Sequence, residues 1–161
     1  MGVYQETLRV GLVWAGKSYP DPLRSCQLSD MAVFAGAGDV TFFSLQMGCG
    51  AEQAMIPPSG MNLIDLTSLI HDFADTAALI EHLDVVISID TAVAHLAGAL
   101  GKPVWLMLPF AADWRWLLKR CDSPWYPSMR IFRQEKPCEW NPVIRRIAAD
   151  LSLKSKKNNA P

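Results

Sequence analysis

The sequence predicts an α/β fold in which one doubly wound, Rossmann-like parallel sheet is covered by helices on both faces. Two observations carry this prediction. Short apolar, β-branched runs alternate with helix-like segments along the chain. The run VVISI over 85–89 is almost wholly apolar, and a continuous apolar run is typical of a strand buried on both faces of a parallel sheet.

The chain is organised around the segment that follows this strand. After 85–89 come two polar residues, Asp90 and Thr91, then an alanine-rich helix over 92–100 and a second strand from Pro103. Strand, helix and strand at this spacing form one right-handed crossover between parallel strands. We therefore expect Asp90 and Thr91 at the carboxyl end of a central strand.

The start of this helix has the features of an anion site. Thr91 stands at the N-cap position, and the N–H groups of Ala92 and the next two residues have no acceptor inside the helix. His95 follows four residues after Thr91 and shares its helix face. A phosphate suits such a helix end. An ordinary cap at Thr91 and a structural histidine at His95 are the alternatives, and the spacing alone does not separate them.

The other elements complete an alternating pattern. We expect Asp75 or Thr76 to cap the helix that precedes the central strand. The predicted strands are 8–14, 40–46, 62–66, 85–89, 103–108 and 129–134, and the predicted helices are 27–35, 50–55, 76–82, 92–100 and 140–151. These elements form one domain over 8–152, followed by a disordered basic tail over 153–161.

The loop after the first strand carries further candidates for phosphate binding. Lys17 and Ser18 follow that strand directly, and Arg24 with Ser25 lies a few residues further on. Loops in this position of an open α/β sheet often contact ligands. An ordinary solvated loop is the alternative, and it is the better interpretation of a lone lysine.

Polar residues also follow the next two strands. Gln46 ends the second strand, and Asp72 comes after the third. Asp72 is a candidate acceptor for a ribose or sugar hydroxyl, or else a turn residue and helix cap. Because the carboxyl ends of parallel strands lie along one edge of a sheet, we expect Lys17, Gln46 and Asp72 to meet Asp90 and Thr91 there.

Composition excludes several classes of protein. The 161 residues are 50% hydrophobic and 19% charged, with a net charge of −1, so neither a disordered chain nor a nucleic-acid partner is expected. No apolar run approaches the ~20 residues of a membrane span, and we expect a cytoplasmic protein. The four cysteines show no C-x-x-C spacing, so we expect reduced thiols without a metal site.

The segment 109–128 has the most unusual composition in the chain. It contains Trp114, Trp116, Trp125 and Tyr126, interspersed with basic residues. Such a mixture can stack nucleic-acid bases, but the chain has no excess of basic charge. We expect an ordered loop pinned by aromatic side chains, facing a partner domain or a second copy of the chain.

Three stretches resemble a known family. The strings VGLVWAGK, LIHDFADTAALIEHLD and VISIDTAVAHLAGALGKPVW, with their D-T-x-x-x-H and A-x-G-K-P motifs, resemble the C-terminal half of glycosyltransferase family 9, the ADP-heptose:lipopolysaccharide heptosyltransferase-like enzymes. The DWRW and SPWYPS segments resemble bacterial versions fused to tetratricopeptide repeats. The likeness runs over residues 9–151.

The resemblance implies a donor site for a nucleotide-sugar, with no metal or other cofactor. It assigns the donor diphosphate and sugar to four residues at the start of the helix, Asp90, Thr91, Ala92 and His95. It assigns the phosphate also to Lys17, with Ser18 beside it. It assigns the nucleoside to the region of Gln46 and of 66–72, which includes Asp72. Family members usually have glycine where this chain has Ala92, and the extra methyl group narrows the approach of a phosphate.

The resemblance also implies that donor binding and catalysis are shared between two domains. Such enzymes have two Rossmann-like domains of the GT-B arrangement, and the N-terminal one supplies the acceptor site and the catalytic carboxylate. The printed sequence resembles only the second, so we expect little or no transferase activity from it alone. A non-catalytic module that binds nucleotide or a protein is the alternative. Another GT-B relative, such as a sugar epimerase, fits the D-T-x-x-x-H spacing less well.

Overall fold

The computed structural model describes residues 7–158, and its architecture is the predicted one. Six strands form a single sheet in the order β3-β2-β1-β4-β5-β6, and every neighbouring pair is parallel. The strands are β1 (Leu8–Val13), β2 (Val40–Ser44), β3 (Leu63–Asp65), β4 (Val85–Ile89), β5 (Val104–Leu108) and β6 (Met129–Arg133). The helices are α1 (Phe73–Glu81), α2 (Ala92–Ala99) and α3 (Trp140–Asn158). The α/β prediction is thereby confirmed.

The centre of the sheet is its most buried part. All five residues of β4 are buried, and β4 lies between β1 and β5. β1 is buried at every position except Arg9. The apolar run that predicted a central strand therefore does occupy the centre, because helices cover both faces of the sheet.

Two of the predicted helices are 3-10 helices. The segment Leu28–Gly36 buries Leu28, Met31 and Phe34, which are spaced three residues apart. A period of three matches the 3-10 geometry, in which side chains three positions apart lie above one another. The segment Ala51–Met55 is also 3-10. Further 3-10 turns span Pro22–Arg24, Thr67–Leu69 and Trp114–Trp116.

Helix α1 begins earlier than predicted. Its N-cap is Asp72, whose carboxylate accepts a hydrogen bond from the Asp75 N–H at 3.0 Å. Asp75 and Thr76 lie inside the helix, so the expectation that one of them is the cap is wrong. The Asp75 carboxylate instead accepts the His71 N–H at 2.9 Å, so Asp75 ties the residue before the cap to the first turn of the helix.

The chain after residue 152 is not a disordered tail as far as the structure describes it. Helix α3 continues to Asn158, so the prediction is wrong for 153–158. Ser155 is buried against Gly38, and its hydroxyl reaches the Asp39 carbonyl oxygen at 3.5 Å. This packing gives the last turns of the helix a surface to lie on. Residues 159–161 lie outside the described part.

Within 7–158, no helix has both the length and the apolar character to cross a membrane.

Candidate functional site

A large cavity opens at the carboxyl edge of the sheet. Its volume is about 490 Å³, and its walls come from the segments that follow β1, β2 and β4 and from the start of α1. Strand order reverses between β1 and β4, since β2 follows on one side and β5 on the other. Ligands of open α/β sheets bind at this switch point, outside the carboxyl ends of the strands.

The loop after β1 supplies one wall through Gly16, Lys17 and Arg24. The Arg24 guanidinium donates from one terminal nitrogen to the Lys17 carbonyl oxygen at 3.0 Å, and from the other to the Asp90 carbonyl oxygen at 3.4 Å. The Arg24 Nε is buried and has no partner among the described residues. Arg24 therefore fastens this loop to the end of β4 and keeps its charge beside the cavity.

Two serines of this loop, Ser18 and Ser25, have different roles. Ser25 accepts the Gly16 N–H at 3.0 Å and so stabilises the loop. Ser18 is exposed and does not line the cavity. The predicted phosphate contact at Ser18 thus has no support from its position, whereas Lys17 does line the cavity.

Gln46 lines the cavity, but its side chain is buried and its amide is hydrogen-bonded within the protein. It is 1% exposed. Its side-chain oxygen accepts the N–H groups of Trp14 and Ala15 at 3.0 and 2.8 Å. Its side-chain nitrogen donates to the carbonyl oxygens of Ala15, Met47 and Cys49 at 2.9, 3.2 and 2.8 Å. Because every polar atom of this amide has a backbone partner, the Gln46 side chain holds the cavity wall in place, and the predicted nucleoside contact at Gln46 stays a prediction.

The start of α2 forms another part of the wall, lined by Thr91, Ala92 and Val93. Thr91 is the N-cap residue, but its hydroxyl pairs with the Ser88 hydroxyl at 3.1 Å and accepts no helix N–H. In the part of the chain that the structure describes, no acceptor contacts the N–H groups of Ala92 and Val93. These two groups carry the positive end of the helix dipole at the cavity.

His95 and the carboxylate of Asp90 do not line this cavity. The His95 ring is held on both nitrogens, by the Tyr126 hydroxyl at 2.9 Å and by Asp90 at 3.4 Å, and it stacks on Trp116. The expectation that His95 shares one pocket with Thr91 and Lys17 is therefore corrected. The aromatic loop turns the imidazole away, and sequence spacing gave no signal for its partners Trp116 and Tyr126.

The charged form of the Asp90 carboxylate is stabilised by hydrogen bonds. Burial by itself raises the pKa of Asp90, but hydrogen bonds from His95 and from the Trp116 indole at 2.9 Å outweigh burial and hold the pKa below its ordinary value. Asp90, His95, Trp116 and Tyr126 form a network that fixes the loop 109–128 against α2. We call these four residues the Asp90 network.

The start of α1 also lines the cavity. Asp72, His71 and the exposed ring of Phe73 line it, and Asp72 also caps α1. Of the two interpretations of Asp72, the cap is confirmed, and the contact with a ribose or sugar hydroxyl stays a prediction.

The described residues contain no group of three or more His, Cys, Asp or Glu side chains placed to hold a metal ion. Cys26 is buried next to β1, and burial raises the pKa of its thiol. Cys49, Cys121 and Cys138 are exposed free thiols.

Comparison with known proteins gives a family for the central segment. Residues 64–107 match the sequence model of glycosyltransferase family 9 (heptosyltransferase). This segment runs from β3 to β5 and includes the start of α2 at the cavity. The resemblance seen in the sequence is thus confirmed, while the association with tetratricopeptide repeats stays a prediction.

One curated relative is Protein FlbA of Caulobacter vibrioides. It is 35% identical over 119 residues, which is 70% of this chain and 19% of FlbA. The chain therefore spans about a fifth of the length of this relative.

Solved structures share the fold at low sequence identity. Escherichia coli ADP-heptose lps heptosyltransferase II matches with a TM-score of 0.67 at 14% identity, covering 94% of this chain and 48% of that protein. A glycosyl transferase of family 9 from Veillonella parvula matches with a TM-score of 0.61 at 12% identity, covering 92% and 47%. E. coli heptosyltransferase WaaC with ADP matches with a TM-score of 0.56 at 13% identity, covering 93% and 46%. The chain corresponds to about half of each.

Proposed function

We propose, from the glycosyltransferase family 9 identity of residues 64–107, that this chain is the nucleotide-sugar-binding half of a GT-B-type glycosyltransferase. The single observation that carries the proposal is the cavity at the sheet's switch point, bordered by two cationic residues and a helix N-terminus. An anionic ligand with an apolar or aromatic portion fits such a cavity. A nucleoside diphosphate has both parts.

The diphosphate belongs beside the loop after β1 and the start of α2. Lys17, Arg24 and the N–H groups of Ala92 and Val93 all belong to residues that line the cavity. Each is a donor of positive charge or of a hydrogen bond, and hydrogen bonds to a charged group are stronger than neutral ones. The base belongs beside Ile70 and the exposed Phe73 ring, which offer apolar surface.

This arrangement supports a leaving-group role. As a sugar is transferred, negative charge grows on the departing diphosphate oxygen, and preorganised donors aimed at that charge lower the barrier. Lys17 and Arg24 are the cationic side chains that stabilise this charge. His95 is left out of this role because its ring belongs to the Asp90 network.

Calorimetric titration tests the donor site. We expect at least one of ADP, GDP and UDP to bind, and Arg24→Gln and Lys17→Ala each to weaken binding roughly tenfold through loss of a charge-assisted hydrogen bond. Lys156→Ala is the matched control, because Lys156 is an exposed lysine on α3 whose loss removes the same charge far from the cavity. Equal affinity in all three variants would refute the assignment.

A second variant separates binding from folding. Ala92→Asp places a carboxylate in the first turn of α2, where an acidic residue stabilises a helix. The same carboxylate would repel a phosphate at the cavity wall. We expect unchanged or higher thermal stability together with loss of nucleotide binding.

The second candidate function is a non-catalytic interaction module. The exposed apolar side chains of the loop 109–128 favour it, since Trp114 is 76% and Leu118 is 79% exposed. Such a patch suits a partner domain or a second copy of this chain. Absence of nucleotide binding, together with a dimer in light scattering that Trp114→Ser dissolves, would favour this function over the first.

Transfer activity is expected to need more than these 161 residues. In the GT-B arrangement, the acceptor and the general base come from another domain. We expect the purified 161-residue protein to bind donor without transferring sugar, and substantial transfer would contradict this.

Fusion to tetratricopeptide repeats and a cytoplasmic location are further proposals for this protein.

A further inference from the structure

The loop after β1 folds back so that its end packs against its start. The Gly16 N–H donates to the Ser25 hydroxyl oxygen at 3.0 Å. The Arg24 guanidinium donates to the Lys17 carbonyl oxygen, also at 3.0 Å. Because these two bonds join adjacent pairs of residues, the backbone of Gly16 lies beside the Arg24 side chain.

Gly16 has no space for a side chain beside Arg24. A Cβ atom built on Gly16 would lie 3.0 Å from the Nε of Arg24, 3.1 Å from its Nη2 and 3.2 Å from its Cζ, and ordinary van der Waals contact begins at 3.4 Å. All three atoms belong to the guanidinium group. The φ angle of Gly16 is not positive, so the backbone conformation there does not itself require glycine. The close approach of the guanidinium does.

The guanidinium of Arg24 keeps donors for a ligand. One terminal nitrogen donates to the Lys17 carbonyl oxygen at 3.0 Å and the other to the Asp90 carbonyl oxygen at 3.4 Å. Each terminal nitrogen of an arginine carries two hydrogens. In the described part of the chain, no acceptor contacts the second hydrogen of either nitrogen. Arg24 is therefore positioned by two carbonyl oxygens while it lines the cavity.

We propose that Gly16 is a positioning residue for diphosphate binding: its missing side chain allows the Arg24 guanidinium to lie against the loop backbone, where it bridges Lys17 and Asp90 and keeps its remaining N–H groups for phosphate oxygens. The inference rests on the proposed function, to which the phosphate contact of Arg24 belongs. A methyl group at residue 16 would displace the guanidinium, because the end of an arginine side chain moves more easily than the hydrogen-bonded backbone.

Two substitutions displace the guanidinium by different amounts. Gly16→Ala introduces one methyl group, and Gly16→Val introduces a branched side chain that occupies more of the same space. Calorimetric titration with ADP, GDP and UDP measures affinity, and differential scanning calorimetry measures the thermal midpoint. Gly36→Ala is the matched control, since Gly36 also lacks a positive φ and nothing lies within 4 Å of a methyl group there.

We expect Gly16→Val to weaken binding of the nucleoside diphosphate roughly tenfold, about the worth of one hydrogen bond to a charged group, and Gly16→Ala to weaken it less. Gly36→Ala should bind as the wild type does. The thermal midpoint of Gly16→Ala should not fall below that of Gly36→Ala, because both substitutions reduce the entropy of the unfolded chain and only a flexible side chain has to move. A lower midpoint would show that the methyl group strains the backbone and would overturn the inference.

An Arg24→Ala background tests whether Gly16 acts through Arg24. Without the guanidinium, a methyl group at residue 16 no longer meets the atoms that crowd it, so Gly16→Ala should cost no further affinity there. An equal loss in both backgrounds overturns the inference. Wild-type affinity in both Gly16 variants also overturns it, while the proposed function stands. Failure of the wild type to bind any of the three nucleotides overturns the proposed function and the inference with it.

Discussion

Gln46 illustrates how one buried side chain can fix the shape of a cavity wall. Its amide joins the loop after β1 to the loop after β2 through five side-chain hydrogen bonds. Every one of these bonds has a backbone group as its partner. A buried amide with matched partners stabilises the geometry of a wall, because leaving any of these groups unpaired is costly.

Replacing Gln46 by glutamate tests this role. The carboxylate of Gln46→Glu cannot donate to the carbonyl oxygens of Ala15, Met47 and Cys49, so buried acceptors lose their partner. We expect the free energy of unfolding to fall by at least about 2 kcal/mol in urea denaturation. Gln53→Glu is the control: the Gln53 side-chain oxygen accepts the Leu28 N–H, and a glutamate can still accept it. Equal stability of the two variants would contradict the role.

The Asp90 carboxylate has consequences at acid pH. Its folded-state pKa lies below the unfolded value, since the hydrogen bonds from His95 and Trp116 outweigh burial. A depressed pKa contributes stability that is present above the unfolded pKa, about pH 4, and is lost as pH falls through the folded pKa.

We therefore expect the thermal midpoint to decline below about pH 4, and Asp90→Asn to decline less steeply there. At neutral pH the variant should be the less stable protein, because its side chain lacks the charge that the network supports. Differential scanning calorimetry between pH 3 and 7 measures both effects. A wild type and variant with parallel pH profiles would contradict the assignment.

At the scale of the element, helix α2 lies unusually close to the loop 109–128. A methyl group built on Gly98 would come within 2.6 Å of the Tyr126 ring, which packs over the helix and pairs with His95. The small residues of this helix, which are visible in the sequence, therefore allow both the aromatic loop and the sheet to pack closely against it.

Gly98→Ala should destabilise the protein. Alanine is the better helix former by about 1 kcal/mol, but displacing a packed ring costs typically 1–3 kcal/mol. Gly36→Ala is the control, since nothing lies within 4 Å of a methyl group there and Gly36 ends a 3-10 helix. We expect a lower thermal midpoint for Gly98→Ala alone, with a weaker near-ultraviolet circular dichroism signal from the aromatic loop. Equal midpoints for the two variants would show that the loop moves aside freely.

At the scale of the whole molecule, strand order decides where ligands meet the protein. The reversal between β1 and β4 leaves a crevice at one edge, and the cavity opens along that edge. Binding in that crevice joins segments distant in sequence, from Lys17 to Val93, so a ligand there stabilises the fold as a unit.

A nucleotide that binds the native state should raise the thermal midpoint. At a hundredfold excess over its dissociation constant the gain is about 2.7 kcal/mol, which corresponds to a rise of roughly 5–10 °C for a domain of this size. The unphosphorylated nucleoside is the control, and it should raise the midpoint much less because it lacks the phosphates that we propose Lys17 and Arg24 bind. A shift as large with nucleoside as with nucleotide would place the affinity outside the phosphate contacts. The measurement is a thermal shift series over ligand concentration.

The sequence by itself determined the fold class, the order of the elements and the central crossover. Each of these rests on local regularities: a buried strand such as 85–89 is a continuous apolar run, and glycine and proline mark the ends of helices. It also determined that the segments carrying Lys17, Thr91 and Ala92 meet at one edge, because the carboxyl ends of parallel strands must do so.

Only the tertiary structure decided the direction of individual side chains. Gln46 turns inward because five backbone groups lie within its reach, and His95 turns toward Tyr126 and Asp90. In the sequence these partners are up to 32 residues away from Gln46 and up to 31 from His95, so no local sequence pattern predicts them. A side chain's direction follows from which distant groups can satisfy its hydrogen bonds, and that depends on packing that exists only once the sheet has formed.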